Sequence, residues 1–120
     1  MKTLPTLTLA AALLVPVPAA AIVGGAPPSG DGIAHSVMTI VGSRGNFCTG
    51  SLIAPALVLT VAHCVQPGAD YKIVEYDREH KPQLRNVRAV AIHPGFQMQA
   101  MLNHRATADV ALLRLEAPAE

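Results

Sequence analysis

The sequence predicts an all-β domain of six short antiparallel strands, closed as a barrel or packed as a sandwich. Three observations lead there. Six runs, at 36–41, 48–53, 56–60, 71–76, 87–92 and 109–115, are apolar or alternating, and turn-forming Gly, Pro, Asn, Asp or Ser residues separate most of them. No segment of ten residues combines a helical period with capping signals, and only 62–65 reads as a helical turn. There is also no internal repeat and no heptad pattern.

Each element follows from its local chemistry. Residues 24–32 are rich in Gly and Pro and form a turn-rich lead into the first strand, 36–41. Gly42-Ser43-Arg44-Gly45-Asn46 ends that strand with residues that tolerate tight turns. The second strand, 48–53, is separated from the third, 56–60, by Ala54-Pro55. Gln66-Pro67-Gly68-Ala69-Asp70 is a loop, and 71–76 is the fourth strand. The polar stretch 77–86 reads as a hairpin connection, followed by strands at 87–92 and 109–115. With two Tyr, two Phe and no Trp, the core must be built from Val, Ile, Leu and Ala.

Residues 1–21 have a different character. Met1-Lys2-Thr3 is a short basic start, 7–15 is an apolar stretch, Pro16 and Pro18 interrupt it, and Ala19-Ala20-Ala21 offers an A-x-A cleavage site. That order is a secretory signal peptide, cut after Ala21 or, alternatively, after Ala19. A buried N-terminal helix is the competing reading, which the prolines disfavour. The apolar stretch is shorter than the about 20 residues of a membrane-spanning helix. The expected mature chain, 22–120, is one domain with a secreted or periplasmic location and no membrane association after cleavage.

Net charge excludes some partners. The whole chain carries a formal charge of +1, and without Lys2 eight Lys+Arg balance eight Asp+Glu. There is no basic stripe for nucleic acid and no acidic tail. Two cysteines in an exported chain, Cys48 and Cys64, favour one disulfide, because the compartment is oxidising. Two free buried thiols are the alternative. If bridged, the closed loop contributes roughly 3 kcal/mol through chain entropy. His35, His80, His93 and His104 lie in loop-like contexts without a second His or Cys at ligand spacing, so neither a metal nor another cofactor is expected.

Two residues could carry chemistry. His63 sits where a strand-like run meets a loop, with Cys64 beside it. A fixed imidazole can serve as a general base, because its kind titrates near neutrality. A lone histidine in a small domain is more often packing or surface. Asp109 opens the apolar run 109–115, where a carboxylate is costly unless paired, and a histidine would be a natural partner. An exposed aspartate at a strand start is the plainer alternative.

Four motifs in order then carry a resemblance. Ile22-Val23-Gly24-Gly25 resembles the mature N-terminus of chymotrypsin/trypsin-family serine proteases. Phe47-Cys48-Thr49-Gly50-Ser51-Leu52-Ile53 resembles the strand before that family's histidine. Leu59-Thr60-Val61-Ala62-His63-Cys64 is similar to its histidine box. Asp109-Val110-Ala111-Leu112-Leu113-Arg114-Leu115 is similar to its aspartate box, with His93-Pro94-Gly95-Phe96 before it. The resemblance implies a six-stranded antiparallel Greek-key barrel, the N-terminal half of a two-barrel fold. It implies His63 as general base and acid, Asp109 as the residue that orients it, and a disulfide from Cys64 to Cys48. It further implies Ile22 as mature N-terminus, a substrate-backbone contact at the Phe47 carbonyl, and polypeptide substrates. Ser51 lacks a nucleophile context, and in this family its position is not the nucleophile.

The chain also departs from the family pattern. Thr49 replaces a common glycine and Val61 a common alanine. Ala21, not Arg or Lys, precedes Ile22, so signal peptidase itself is expected to expose the Ile22 amino group. No Gly-Asp-Ser-Gly-Gly-like segment occurs in the 120 residues. In the family the nucleophilic serine, the oxyanion hole and the specificity pocket come from a C-terminal barrel. The expectation is therefore a secreted serine endopeptidase represented by its first barrel alone, inactive as it stands and lacking its second barrel as a partner. A non-catalytic homologue acting as a secreted binding module is the alternative, and an unrelated disulfide-stapled β-domain the third reading.

Overall fold

The computed structural model describes residues 25–27 and 30–119. The expected signal peptide and the expected mature terminus at Ile22 lie outside the described residues. Six strands form: β1 (Val37–Gly42), β2 (Phe47–Ala54), β3 (Leu57–Thr60), β4 (Tyr71–Tyr76), β5 (Pro82–Ile92) and β6 (Ala111–Leu115). They close into an antiparallel barrel in the order β1-β2-β3-β6-β5-β4, with β4 returning to pair with β1. A fourth strand beside the first of three consecutive ones is the Greek-key arrangement. The all-β barrel expected from the sequence is what forms.

Period-two patterning decides which side chains enter the barrel. Along β1, Met38 and Ile40 are buried between exposed neighbours; β3 buries Val58 and Thr60, and β6 buries Ala111, Leu113 and Leu115. With Tyr71 and Ile73 of β4 these make one core, to which Val65 adds from the loop after β3. Each fully buried Ile, Leu or Val contributes roughly 1.5–3 kcal/mol relative to exposure. Gly50 is the small inward position of β2. A Cβ there would meet Val58 Cγ1 at 2.5 Å, Ile40 Cδ1 at 3.0 Å and the Leu59 carbonyl at 3.1 Å. Register shifts at Leu52/Ala54 in β2 and Val87/Ala89 in β5 bend those strands toward closure.

Polar residues tie the loops to this wall. Ser43 and Asp70 clamp two loops together, the Ser43 N–H donating to the Asp70 carbonyl at 2.9 Å and the Asp70 N–H to Ser43 Oγ at 2.9 Å. Thr60, the inward polar side chain of β3, donates its hydroxyl to the Thr49 carbonyl at 2.9 Å.

Three local expectations need correction. Only 77–81 is the hairpin turn; 82–86 continues β5 and pairs with β4 from Lys72↔Asn86 to Tyr76↔Pro82. Pro82 is tolerated because it is the first residue of its strand. Polar residues on the face of Ile73, Gln83 and Arg85, hide that half-strand, which the Arg85 Nε donation to Glu75 Oε2 at 2.6 Å helps to hold. The turn is closed by Asp77. The Lys81 N–H lowers its carboxyl below the ordinary value most, and Gln83 and the Glu79 N–H add to the effect against some desolvation. A five-residue helix, α1 (Met98–Leu102), stands in the connection before β6, with no side-chain cap and no periodic signal. Finally, β6 begins at Ala111, so Asp109 precedes the strand rather than opening it.

Candidate functional site

The pairing of β3 with β6 runs from Leu57↔Arg114 to Thr60↔Ala111. Because the pair is antiparallel, the chain leaving Thr60 and the chain arriving at Ala111 emerge at the same end of the barrel. His63 lies on the first, in a 3-10 turn (Ala62–Cys64), and Asp109 on the second. Residues 46 apart in sequence thus become neighbours.

They meet through two hydrogen bonds. The His63 backbone N–H donates to Asp109 Oδ1 at 2.8 Å, and His63 Nδ1 lies 2.6 Å from Asp109 Oδ2. An ionised carboxylate only accepts, so this contact assigns the ring proton to Nδ1 and the lone pair to Nε2. Burial pushes the Asp109 carboxyl up. The hydrogen bonds from the His63 ring and backbone, the charge of the imidazole and the Ala62 N–H outweigh it, and hold the group below its ordinary value. The side chains are 42% and 26% exposed, so the pair stands at the surface.

Fixing an exposed imidazole requires a rigid turn. Cys64 is joined to Cys48 of β2 by a disulfide with a Cα–Cα distance of 6.2 Å. Asn46 Nδ2 donates to the Cys64 carbonyl at 2.8 Å, Gln66 Nε2 to the Ala62 carbonyl at 2.6 Å, and the Tyr71 hydroxyl to the Gln66 carbonyl at 2.6 Å. Sequence reasoning missed Asn46, Gln66 and Tyr71. Asn46 and Gln66 carry no signal beyond being loop polars, but a tyrosine on an inward strand position must find a partner for its hydroxyl.

The remaining candidates fall elsewhere. Phe47 opens β2 and is 74% exposed. Ser51 is exposed on β2 and lines a shallow groove of about 340 Å³ with Thr49, Gly50, Leu59, Thr60, Val61, Asp109 and Val110. A hollow of about 1000 Å³ between the start of β1 and the β4–β5 turn includes neither His63 nor Asp109 among its lining residues. His93 accepts the Gly95 N–H at Nδ1, 3.0 Å, and its own N–H donates to the Val110 carbonyl, which places it as a brace for the loop before β6. Among the described residues, no three His, Cys, Asp or Glu side chains are placed to hold a metal ion, and no helix is long and apolar enough to cross a membrane.

The small β-barrel thus holds a histidine against a carboxylate at its rim. The family model described as Trypsin matches residues 22–120, and the chain belongs to that family of serine proteases. It is 34% identical over 90 residues to coagulation factor XII of Cavia porcellus, a match covering 72% of this chain and 15% of that protein. It is 33% identical over 79 residues to ovochymase of Halocynthia roretzi, covering 61% of this chain and 5% of that protein. The chain therefore spans only a small part of the relatives that it matches.

Proposed function

We propose that this chain is the base-carrying barrel of a secreted serine endopeptidase, with His63 as general base and acid and Asp109 as its orienting partner. The observation that carries the reading is the double contact of Asp109 with His63 in a trypsin-family domain. Nε2, with its lone pair, is the atom that takes a hydroxyl proton from a serine and returns it to the leaving amine. Asp109 holds the tautomer and stabilises the imidazolium that forms.

The nucleophile belongs to a second barrel. No residue among these 120 stands in a serine box, and the serine, the oxyanion hole and the specificity pocket are assigned by this reading to that second barrel. Residues 22–120 alone are expected not to cleave peptides. Phe47 is assigned a backbone contact to substrate, supported by its exposed place at the head of β2. Secretion is supported by the order of features in 1–21 and by the disulfide, which persists in oxidising compartments. Ile22 is the first residue of the matched domain and directly follows the A-x-A site, which supports exposure of its amino group by the export cut.

The test mixes this chain with a serine-bearing second-barrel segment and follows hydrolysis of a peptide ester. Cleavage that disappears in His63→Ala is the expected result. Cleavage that persists in that variant removes His63 from the role of base. An assembled pair that binds but never cleaves favours the binding-module alternative.

A further inference from the structure

The two sulfurs of the disulfide have unequal surroundings. Cys64 Sγ lies 3.7 Å from His63 Nε2, the ring nitrogen opposite the one that Asp109 holds. Cys64 is 8% exposed, whereas Cys48, on β2, is only partly buried. Thiol–disulfide exchange depends on which sulfur can be reached and on how well the departing sulfur carries negative charge. A thiolate beside a protonated histidine is stabilised. Asp109 holds the ring's other nitrogen at 2.6 Å. Among the described residues, Asp109 and Cys64 are the hydrogen-bond partners of the ring nitrogens.

We propose that Cys48–Cys64 is a polarised, reducible bridge: a low-molecular-weight thiol attacks Cys48 Sγ, and Cys64 departs as a thiolate paired with the His63 imidazolium. In the first step a bond forms between the thiol sulfur and Cys48 Sγ while the Cys48–Cys64 bond breaks, its electron pair passing to Cys64. The proton of the attacking thiol goes to solvent, and the imidazole draws its second proton from solvent. A second thiol then attacks the small-molecule sulfur of the mixed disulfide. That releases Cys48 as a thiol and yields the oxidised small disulfide, so two thiols supply the two electrons.

The contact outlasts the opening of the bridge. The hydrogen bonds from Asn46 to the Cys64 carbonyl and from Gln66 to the Ala62 carbonyl hold the turn independently of the disulfide. With Nε2 protonated and facing sulfur, the ring has no lone pair to offer, so reduction switches off the base. That regulatory consequence rests on the function proposed above; the direction of reduction does not.

The experiment exposes the oxidised chain to glutathione, quenches with iodoacetamide and maps the modified cysteines by peptide mass spectrometry. Early samples are expected to carry glutathione on Cys48 and the alkyl group on Cys64. Glutathione on Cys64, an equal distribution, or a bridge that resists reduction until the barrel unfolds overturns the proposal. His63→Gln is expected to slow the first step by roughly tenfold at neutral pH, through the poorer leaving group; an unchanged rate in a variant whose circular dichroism matches wild type also overturns it. If that variant fails to fold, the mapping on the wild-type chain decides. Failure of peptide-ester cleavage in the assembled protein leaves the mapping untouched, so the two readings fail separately.

Discussion

Asp109→Asn exchanges one carboxylate oxygen for an amide nitrogen and tests the His63 arrangement at a single atom. In the wild type, both oxygens accept: Oδ1 from the backbone N–H at 2.8 Å and Oδ2 from Nδ1 at 2.6 Å. Asparagine has one acceptor. If that oxygen stays with the fixed backbone N–H, the NH2 group faces Nδ1 and can only donate to it. The ring proton then moves to Nε2, and the lone pair that the proposed base would use faces the wrong way. The stability cost is small, because one charge-assisted hydrogen bond becomes a neutral one between side chains that are 42% and 26% exposed. About 1 kcal/mol is expected after allowance for solvent screening. The rate cost is large, about 10⁴-fold in kcat, the size found for the same exchange in a homologous triad. The assay is peptide-ester hydrolysis by the chain assembled with a serine-bearing second barrel, with nitrogen NMR of labelled histidine to read the tautomer. A fall of less than tenfold, with the proton still on Nδ1, would refute the reasoning.

Other consequences are briefer. The Asp109 carboxyl is held below its ordinary value in the folded chain, so its contribution to stability is full above the unfolded value of about 3.9 and is lost as pH falls through the folded one. Urea midpoints measured from pH 6 downward should fall more steeply for wild type than for Asp109→Asn, and parallel profiles would contradict this. Gly50→Ala places a Cβ against the Leu59 carbonyl and Val58 and should cost about 1–3 kcal/mol, read as a lower urea midpoint at low protein concentration. A neutral effect would show that β2 yields more easily than its neighbours imply. Leu59 and Val110 are exposed apolar residues lining the groove beside Asp109, so the isolated barrel should self-associate with rising concentration. Changing both to Ser should weaken that association in sedimentation measurements, and a monomeric wild-type chain would remove its basis.

How much of this was legible in the sequence depended on range. Strands that alternate against the core, such as β1 and β6, are visible because burial and sequence share a period of two. The first half of β5 is not, because its positions on the face of Ile73 are the polar Gln83 and Arg85 while the apolar Leu84 lies on the opposite, exposed face, so its strand character comes from pairing with β4. The helix Met98–Leu102 is invisible for a related reason: it is one turn long, and the loop bonds that frame it, such as the Gln97 N–H to Thr107 Oγ1 at 2.8 Å, are tertiary. His63 and Asp109 could each be named from their motifs. Their contact could not be derived from spacing alone, since it depends on the register that sets Thr60 opposite Ala111.

The same register explains why the histidine can be both exposed and fixed. In the turn after β3 the chain alternates sharply: Ala62 is fully buried, His63 is exposed, and Cys64 and Val65 are buried again. Side chains flanking the histidine are driven into the core, and the tight turn between them leaves the imidazole no inward option. Ala62 sits in the core with no exposed surface. Cys64 then adds a covalent tie to β2, and Asp109 supplies the last constraint through the backbone N–H as well as the ring. Position is therefore set by apolar burial on both sides of the functional residue, and orientation by one carboxylate. A histidine held in this way needs no burial of its own, and its side chain stays 42% exposed.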